Sequence, residues 1–155
     1  MPVPRRLWDS NLVLSYLSGD TQAQPDCDLI IEQAKNGQLE LVVSTIALAE
    51  VAFLQGLSDS DSEAKIQEFF SRDYIIPASY DITVARMARR LIRTYRPNFK
   101  PPDAVHMATA LLWRIPILET TDPDLLRLDR KEGNPPLIIR KPKYEGSQPF
   151  PLFKI

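Results

Sequence analysis

Pro101-Pro102-Asp103-Ala104-Val105-His106-Met107-Ala108-Thr109-Ala110 leads through Leu111-Leu112-Trp113-Arg114 into Ile115-Pro116-Ile117-Leu118-Glu119-Thr120-Thr121-Asp122-Pro123-Asp124, and this stretch decides the fold. Pro102 suits the first turn of a helix, where a backbone N–H has no intrahelical partner to lose. The residues that follow are small and apolar, as a buried crossover helix requires, and the helix runs to about Trp113. Residues 115–118 read as a strand, with Pro116 tolerable near its start. Asp122-Pro123 then signals a new helix, running to Leu128. A buried helix, a short apolar strand and another helix in succession are the unit of a parallel α/β sheet.

The same alternation extends outward on both sides. Leu7-Trp8, preceded by Arg5 and Arg6, makes a short strand. Residues 11–17 carry Leu12, Val13, Tyr16 and Leu17 at helical spacing. A loop from Gly19 to Pro25 precedes a helix over 26–36, closed by Gly37 at the C′ position. Residues 39–43 form a compact apolar strand; Ser44 caps a helix over 45–55, which Gly56 ends. Residues 58–62 are a polar loop with cap candidates, followed by helix 63–70, strand 74–77 and helix 81–95, stopped by Pro97. A last strand covers 137–139. The expected fold is a three-layer α/β/α sandwich with a mostly parallel central sheet, over residues 1–139. Residues 140–155 form a proline-rich, extended tail. Phe150, Leu152, Phe153 and Ile155 make it apolar enough to dock.

Length and composition set bounds. A chain of 155 residues suits one domain with a single core. Its 44% hydrophobic and 25% charged content is that of a soluble globular protein. No apolar run approaches the ~20 residues of a membrane helix, and the N-terminus lacks a secretory signal. A single cysteine, Cys27, cannot form an internal disulfide; together these suggest a reducing cytoplasm. The net charge of −1 gives no argument for nucleic acid. The distribution says more: residues 82–102 hold Arg86, Arg89, Arg90, Arg93, Arg96 and Lys100 and no acid. Arg89, Arg93 and Arg96 share one helix face. A solvated face or pairing with acids elsewhere is the ordinary reading; a phosphate-tracking stripe becomes the reading only if an active site lies beside it.

Four acids stand where helices start or along a helix face: Asp9, Glu50, Asp103 and Asp122. Each has an ordinary explanation. Asp9 and Asp122 are good N-caps, and Asp103 sits in a first turn where the helix dipole favours negative charge. Glu50 is harder to dismiss, as the lone charge in Ile46-Ala47-Leu48-Ala49-Glu50-Val51-Ala52-Phe53-Leu54; a buried carboxylate needs a partner, and a metal is one. Ser10 and Thr121 offer hydroxyls at the same turns. Asp124 is either a supporting acid or a solvated one. His106, the only histidine, lies on the face of Asp103 and has an ordinary role as a satisfied core side chain; otherwise it steadies Asp103 or a bound phosphate. In a parallel sheet the strand carboxyl ends face one crevice, so acids scattered in sequence can meet there. Packed carboxylates repel, and oxygen ligands favour Mg²⁺ or Mn²⁺.

Leu-Trp-Asp-Ser-Asn, Ser-Thr-Ile-Ala-Leu-Ala-Glu, Pro-Asp-Ala-Val-His-Met-Ala-Thr-Ala and Thr-Thr-Asp-Pro-Asp-Leu occur in this order. In these segments the chain, from about Leu7 to Ile139, resembles the PIN domain, the nuclease fold of VapC-type toxins. The third, with the fourth after the right interval, is the most specific. The resemblance implies that Asp9, Glu50, Asp103 and Asp122 form an acidic cluster supported by Ser10 and Thr121, with Asp9, Asp103 and Asp122 holding Mg²⁺ or Mn²⁺. It further implies cleavage of RNA, a homodimer and an antitoxin that blocks the crevice. The short first strand and the proline-rich tail depart from the family's pattern without removing an acid.

Other chemistries lack their parts. There is no Gly-x-Ser-x-Gly turn, no set of zinc ligands and no clustered glycines among the five present. Cys27 lies between Asp26 and Asp28, which raise a thiol pKa. The competing expectation is a catalytically silent module that binds protein or RNA; a phosphatase or a DNA-directed nuclease with the same cluster is weaker.

Overall fold

The computed structural model describes residues 2–19 and 22–146. The apolar residues expected in the tail, Phe150, Leu152, Phe153 and Ile155, lie outside the described residues. Among the described residues the chain forms β1 (Arg5–Trp8), α1 (Ser10–Ser18), α2 (Gln24–Lys35), β2 (Glu40–Ser44), α3 (Ala47–Glu50), α4 (Asp59–Phe70), β3 (Ile75–Ala78), α5 (Ile82–Thr94), α6 (Pro101–Leu112), β4 (Ile117–Glu119), α7 (Pro123–Leu126) and β5 (Ile138–Arg140). The five strands stand in the order β3-β2-β1-β4-β5, and every pairing is parallel.

Strand register explains the layering. Ile76, Val42, Leu7, Leu118 and Ile139 are successive partners across the sheet, so all point to one face. There Val42, Leu7, Leu118 and Ile139 pack with Val84, Ala88 and Leu91 of α5 and with Ala104, Val105, Met107 and Ala108 of α6. The neighbouring positions Leu41, Val43, Ile75 and Trp8 point to the other face. They meet Leu12 and Val13 of α1, Ile30 and Ile31 of α2, and Ile66 and Phe69 of α4. The expected three-layer α/β/α architecture is thus present. Residues 104–110 are all buried, which is why that helix is built from small and apolar side chains.

The terminators act where the chain chemistry puts them. Asp81 caps α5 by accepting from the Val84 N–H at 3.0 Å. Gly37, just past α2, has φ +73°, the left-handed conformation expected of a C′ glycine.

One expected element is corrected. The helix expected over 45–55 is a single turn, α3, which ends at Glu50. Val51 leaves the helix with φ −91° and ψ 80°. Leu48 and Phe53 are exposed, so the apolar run is not the buried stripe that would hold a longer helix together. Other boundaries move less. β1 gains Arg5 and Arg6, β2 and β3 each begin and end one residue later than expected, β4 starts at Ile117 and reaches Glu119, and α4 starts at Asp59 because Ser58 caps it. Beyond β5 the chain continues across the molecule. Lys143 N–H donates to Glu119, Tyr144 N–H to Asp26, and Gln33 of α2 donates to the Gly146 carbonyl.

Candidate active site

The parallel sheet brings the ends of β1, β2 and β4 to one edge, and the helices that follow start there. Asp9 follows β1 directly. It caps α1 by accepting from the Leu12 N–H at 2.9 Å. Its second oxygen accepts from the Thr120 hydroxyl at 2.5 Å. Asp9 is 2% exposed, and burial, more than any other cause, raises its carboxyl pKa; Asp122 adds to this, while His106 and the hydrogen bonds oppose it.

Asp103 lies in the first turn of α6. Burial first, then the carboxylates of Asp122 and Asp9, push its pKa up to about 7. Asp122 caps α7 by accepting from the Asp124 N–H at 2.9 Å. One carboxylate oxygen each from Asp103, Asp122 and Asp124 lie within 4.8 Å of one another. The acid expected to be merely supporting, Asp124, therefore stands in the tightest group. Asp9 lies beside that group with its oxygens engaged by Leu12 and Thr120.

Glu50 is not buried in an apolar helix, as the sequence suggested; its side chain is 30% exposed. It nevertheless turns toward the site. Its Oε1 accepts from the Ser10 hydroxyl at 2.6 Å and lies 3.2 Å from His106 Nε2. Chiefly the His106 hydrogen bond, with that of Ser10, holds the Glu50 carboxyl below the usual range against the effect of burial. His106 is buried, and its Nε2 is 2.9 Å from Ser10 Oγ. Its side-chain hydrogen bonds run to Ser10 and Glu50, and none is made to Asp103. α6 thus sets His106 against Ser10 of α1 and Asp103 beside Asp122 and Asp124, with His106 still near enough to oppose the rise in the Asp103 pKa.

Thr121 makes no side-chain hydrogen bond among the described residues; the hydroxyl that reaches the acids is Thr120. Thr120 both donates to Asp9 and accepts from the Asp122 N–H at 2.9 Å, joining the β1 and β4 turns. The signal was in the register. Trp8 pairs with Glu119, so the residues after them, Asp9 and Thr120, emerge side by side. Placing the end of β4 one residue early hid this.

The donors are all carboxylate oxygens crowded closely enough to repel, a set that fits a hard divalent cation such as Mg²⁺ or Mn²⁺. Soft-ligand chemistry is not available beside it. Cys27 is buried under the opposite layer, and burial, then Glu119, Asp28 and Asp26, push its thiol up to about 12.

Arg86, Arg89, Arg93, Arg96 and Lys100 are exposed and form no ion pair among the described residues. Arg90 alone in this run is paired, with Glu132 at 2.9 Å. Lys100 is the N-cap residue of α6, so the run ends three residues before Asp103.

The PIN domain family model matches residues 7–131. No curated protein sequence matches the chain. Sixteen solved chains match its fold. One is from the crystal structure of VapBC2 from Rickettsia felis bound to a DNA fragment from their promoter, with a TM-score of 0.64 and 15% identity, covering 88% of this chain and 97% of that one.

Proposed function

The chain belongs to the PIN domain family, and from that premise we propose that it is a metal-dependent endoribonuclease, the toxin of a toxin–antitoxin pair. The observation that carries the reading is the meeting of Asp103, Asp122 and Asp124 oxygens beside Asp9, with the Asp103 pKa raised by burial first and then by Asp122 and Asp9. A carboxyl perturbed both by burial and by neighbouring acids in a crevice marks a candidate functional site, and a divalent cation among the oxygens would relieve their repulsion.

Asp9, Asp103 and Asp122 would hold Mg²⁺ or Mn²⁺, with Asp124 in reach. When bound, such an ion lowers the pKa of an attacking water and neutralises charge that builds on the phosphate. Thr120 keeps Asp9 and the Asp122 turn in fixed relation. Glu50, partly exposed and ionised, orients water at the rim or completes the oxygen set. Arg86, Arg89, Arg93, Arg96 and Lys100 guide the RNA backbone toward Asp103. Residues 1–139 make up the nuclease domain and 140–155 an extension of it. An antitoxin partner is supported by the likeness to the VapBC2 structure, and a homodimer by the PIN resemblance.

The test incubates purified protein with RNA and Mn²⁺ or Mg²⁺ beside an Asp103→Asn variant. Native protein is expected to cleave, and the variant to lose ~100-fold or more in rate, as for the loss of one essential group at such a site. Equal cleavage by both would mean contamination. Cleavage by neither would favour the silent binding module.

A further inference from the structure

His106, Ser10 and Glu50 form a unit that the acidic cluster does not explain. Glu50 ends a one-turn helix, and its side chain is 30% exposed. A glutamate in that setting has its rotamers free unless something tethers it. Its side-chain partners among the described residues are Ser10 and His106, both buried.

The distances assign the protons. Ser10 Oγ lies 2.6 Å from Glu50 Oε1, so its single proton goes to the carboxylate. No hydroxyl proton then remains for His106. The 2.9 Å contact between Ser10 Oγ and His106 Nε2 is therefore made by an Nε2–H. The same N–H inclines to Glu50 Oε1 at 3.2 Å. The reverse tautomer would set two acceptors against each other at one of these contacts, whereas an Nε2–H gives up only the longer approach of the Ser10 backbone N–H to Nε2, at 3.4 Å. Nδ1 is buried and has no hydrogen-bond partner among the described residues, so the polar work of the ring runs through Nε2.

We propose that His106 is a positioning residue: its Nε2–H fixes Ser10 and, with it, the Glu50 carboxylate at the rim of the acidic crevice. Its consequence for catalysis rests on the nuclease reading; its hydrogen bonds do not. A side chain that supplies one donor at the Nε2 position should replace it, and one that supplies only shape should not.

Two measurements test this. In the first, kcat and KM for an RNA oligonucleotide with Mn²⁺ are compared for the native protein, His106→Gln, His106→Asn and His106→Leu, with melting curves to confirm folding. The Gln amide reaches the Nε2 position; the Asn amide stops near Nδ1. His106→Gln is expected to stay within about threefold of native kcat, while His106→Asn and His106→Leu fall ~10- to 100-fold with KM nearly constant. A folded His106→Leu as active as native, or a Gln variant no better than Leu, overturns the proposal. In the second, ¹H–¹⁵N spectra of untagged protein report the chain's single histidine directly. The proton is expected on Nε2, with its signal displaced in Ser10→Ala and in Glu50→Gln. A proton on Nδ1, or a signal indifferent to both changes, overturns it. Should native protein fail to cut RNA, the nuclease reading falls, and the spectra alone decide on the tether.

Discussion

Asp103 carries the largest consequence of the crowded site at the residue scale. Its pKa, pushed up to about 7 by burial and by Asp122 and Asp9, exceeds the ordinary aspartate value of 3.8. Between those two values the folded chain binds more protons at this site than the unfolded chain. Stability must therefore fall as pH rises through that window. The penalty is absent below the ordinary value and fully developed above about 7. Asp9, also raised by burial, acts in the same direction. Metal-free protein is thus expected to melt at a lower temperature at about pH 8 than at about pH 5. Asp103→Asn should raise the melting temperature at the higher pH, because the amide neither repels Asp122 nor needs a cation. Mn²⁺ should stabilise the native protein most where Asp103 would otherwise be charged. Calorimetry across pH, with and without metal, checks all three. A native melting temperature that is flat over this range would show that the carboxylates do not sense one another.

Single elements show what could be read from the chain and what could not. α5 and α6 were legible because their signals are local: Asp81 is a cap, and Pro101 and Pro102 open a buried helix of small residues. The central strands were legible as apolar runs, though their ends shifted by one or two residues. α3 was not legible. Its sequence is apolar, but whether an apolar run continues as helix depends on a surface to pack against, and Leu48 and Phe53 face solvent. Asp9, Asp103 and Asp122 could be singled out from sequence because each stands at the start of a helix, and Glu50 because it is the lone charge in an apolar run. Thr120 and the weight of Asp124 could not, since both depend on the register between β1 and β4 and on the cap at Asp122. The ordinary reading of the α5 cations as ion-paired applies only to Arg90. If Arg89 and Arg93 track phosphates, the double change to Glu should weaken binding of single-stranded RNA. It should also flatten the plot of log affinity against log salt by about 0.7 for each phosphate no longer neutralised. Filter binding over a salt series measures the slope; an unchanged slope leaves the stripe a solvated face.

Across the whole molecule, the sheet is covered unevenly. α1, α2 and α4 shield β1, β2 and β3 on one face, but the row Trp8, Glu119 and Arg140 runs past them toward the β5 edge. Glu119 is fully buried there, and burial raises its pKa even against the Arg6 guanidinium beside it. It accepts from Trp8 Nε1 at 3.0 Å, Arg6 Nη1 at 3.2 Å and the Lys143 N–H at 3.1 Å. Arg6 in turn donates to the Lys143 carbonyl at 2.9 Å, and Arg140 pairs with Glu145. One carboxylate thus ties β1 and β4 to the segment that crosses the open part of the sheet. Glu119→Ala strands a buried guanidinium and an indole N–H together, and is expected to cost about 3 kcal/mol of unfolding free energy. Glu119→Gln keeps an acceptor for Trp8 and should cost less, by about 1 kcal/mol or more. Urea unfolding of both variants gives the difference. None of these hydrogen bonds involves Asp103 or Asp122, so metal-dependent cleavage per folded molecule should match native for either variant. A Glu119→Ala protein as stable as native would mean that water, not this carboxylate, satisfies Arg6 and Trp8.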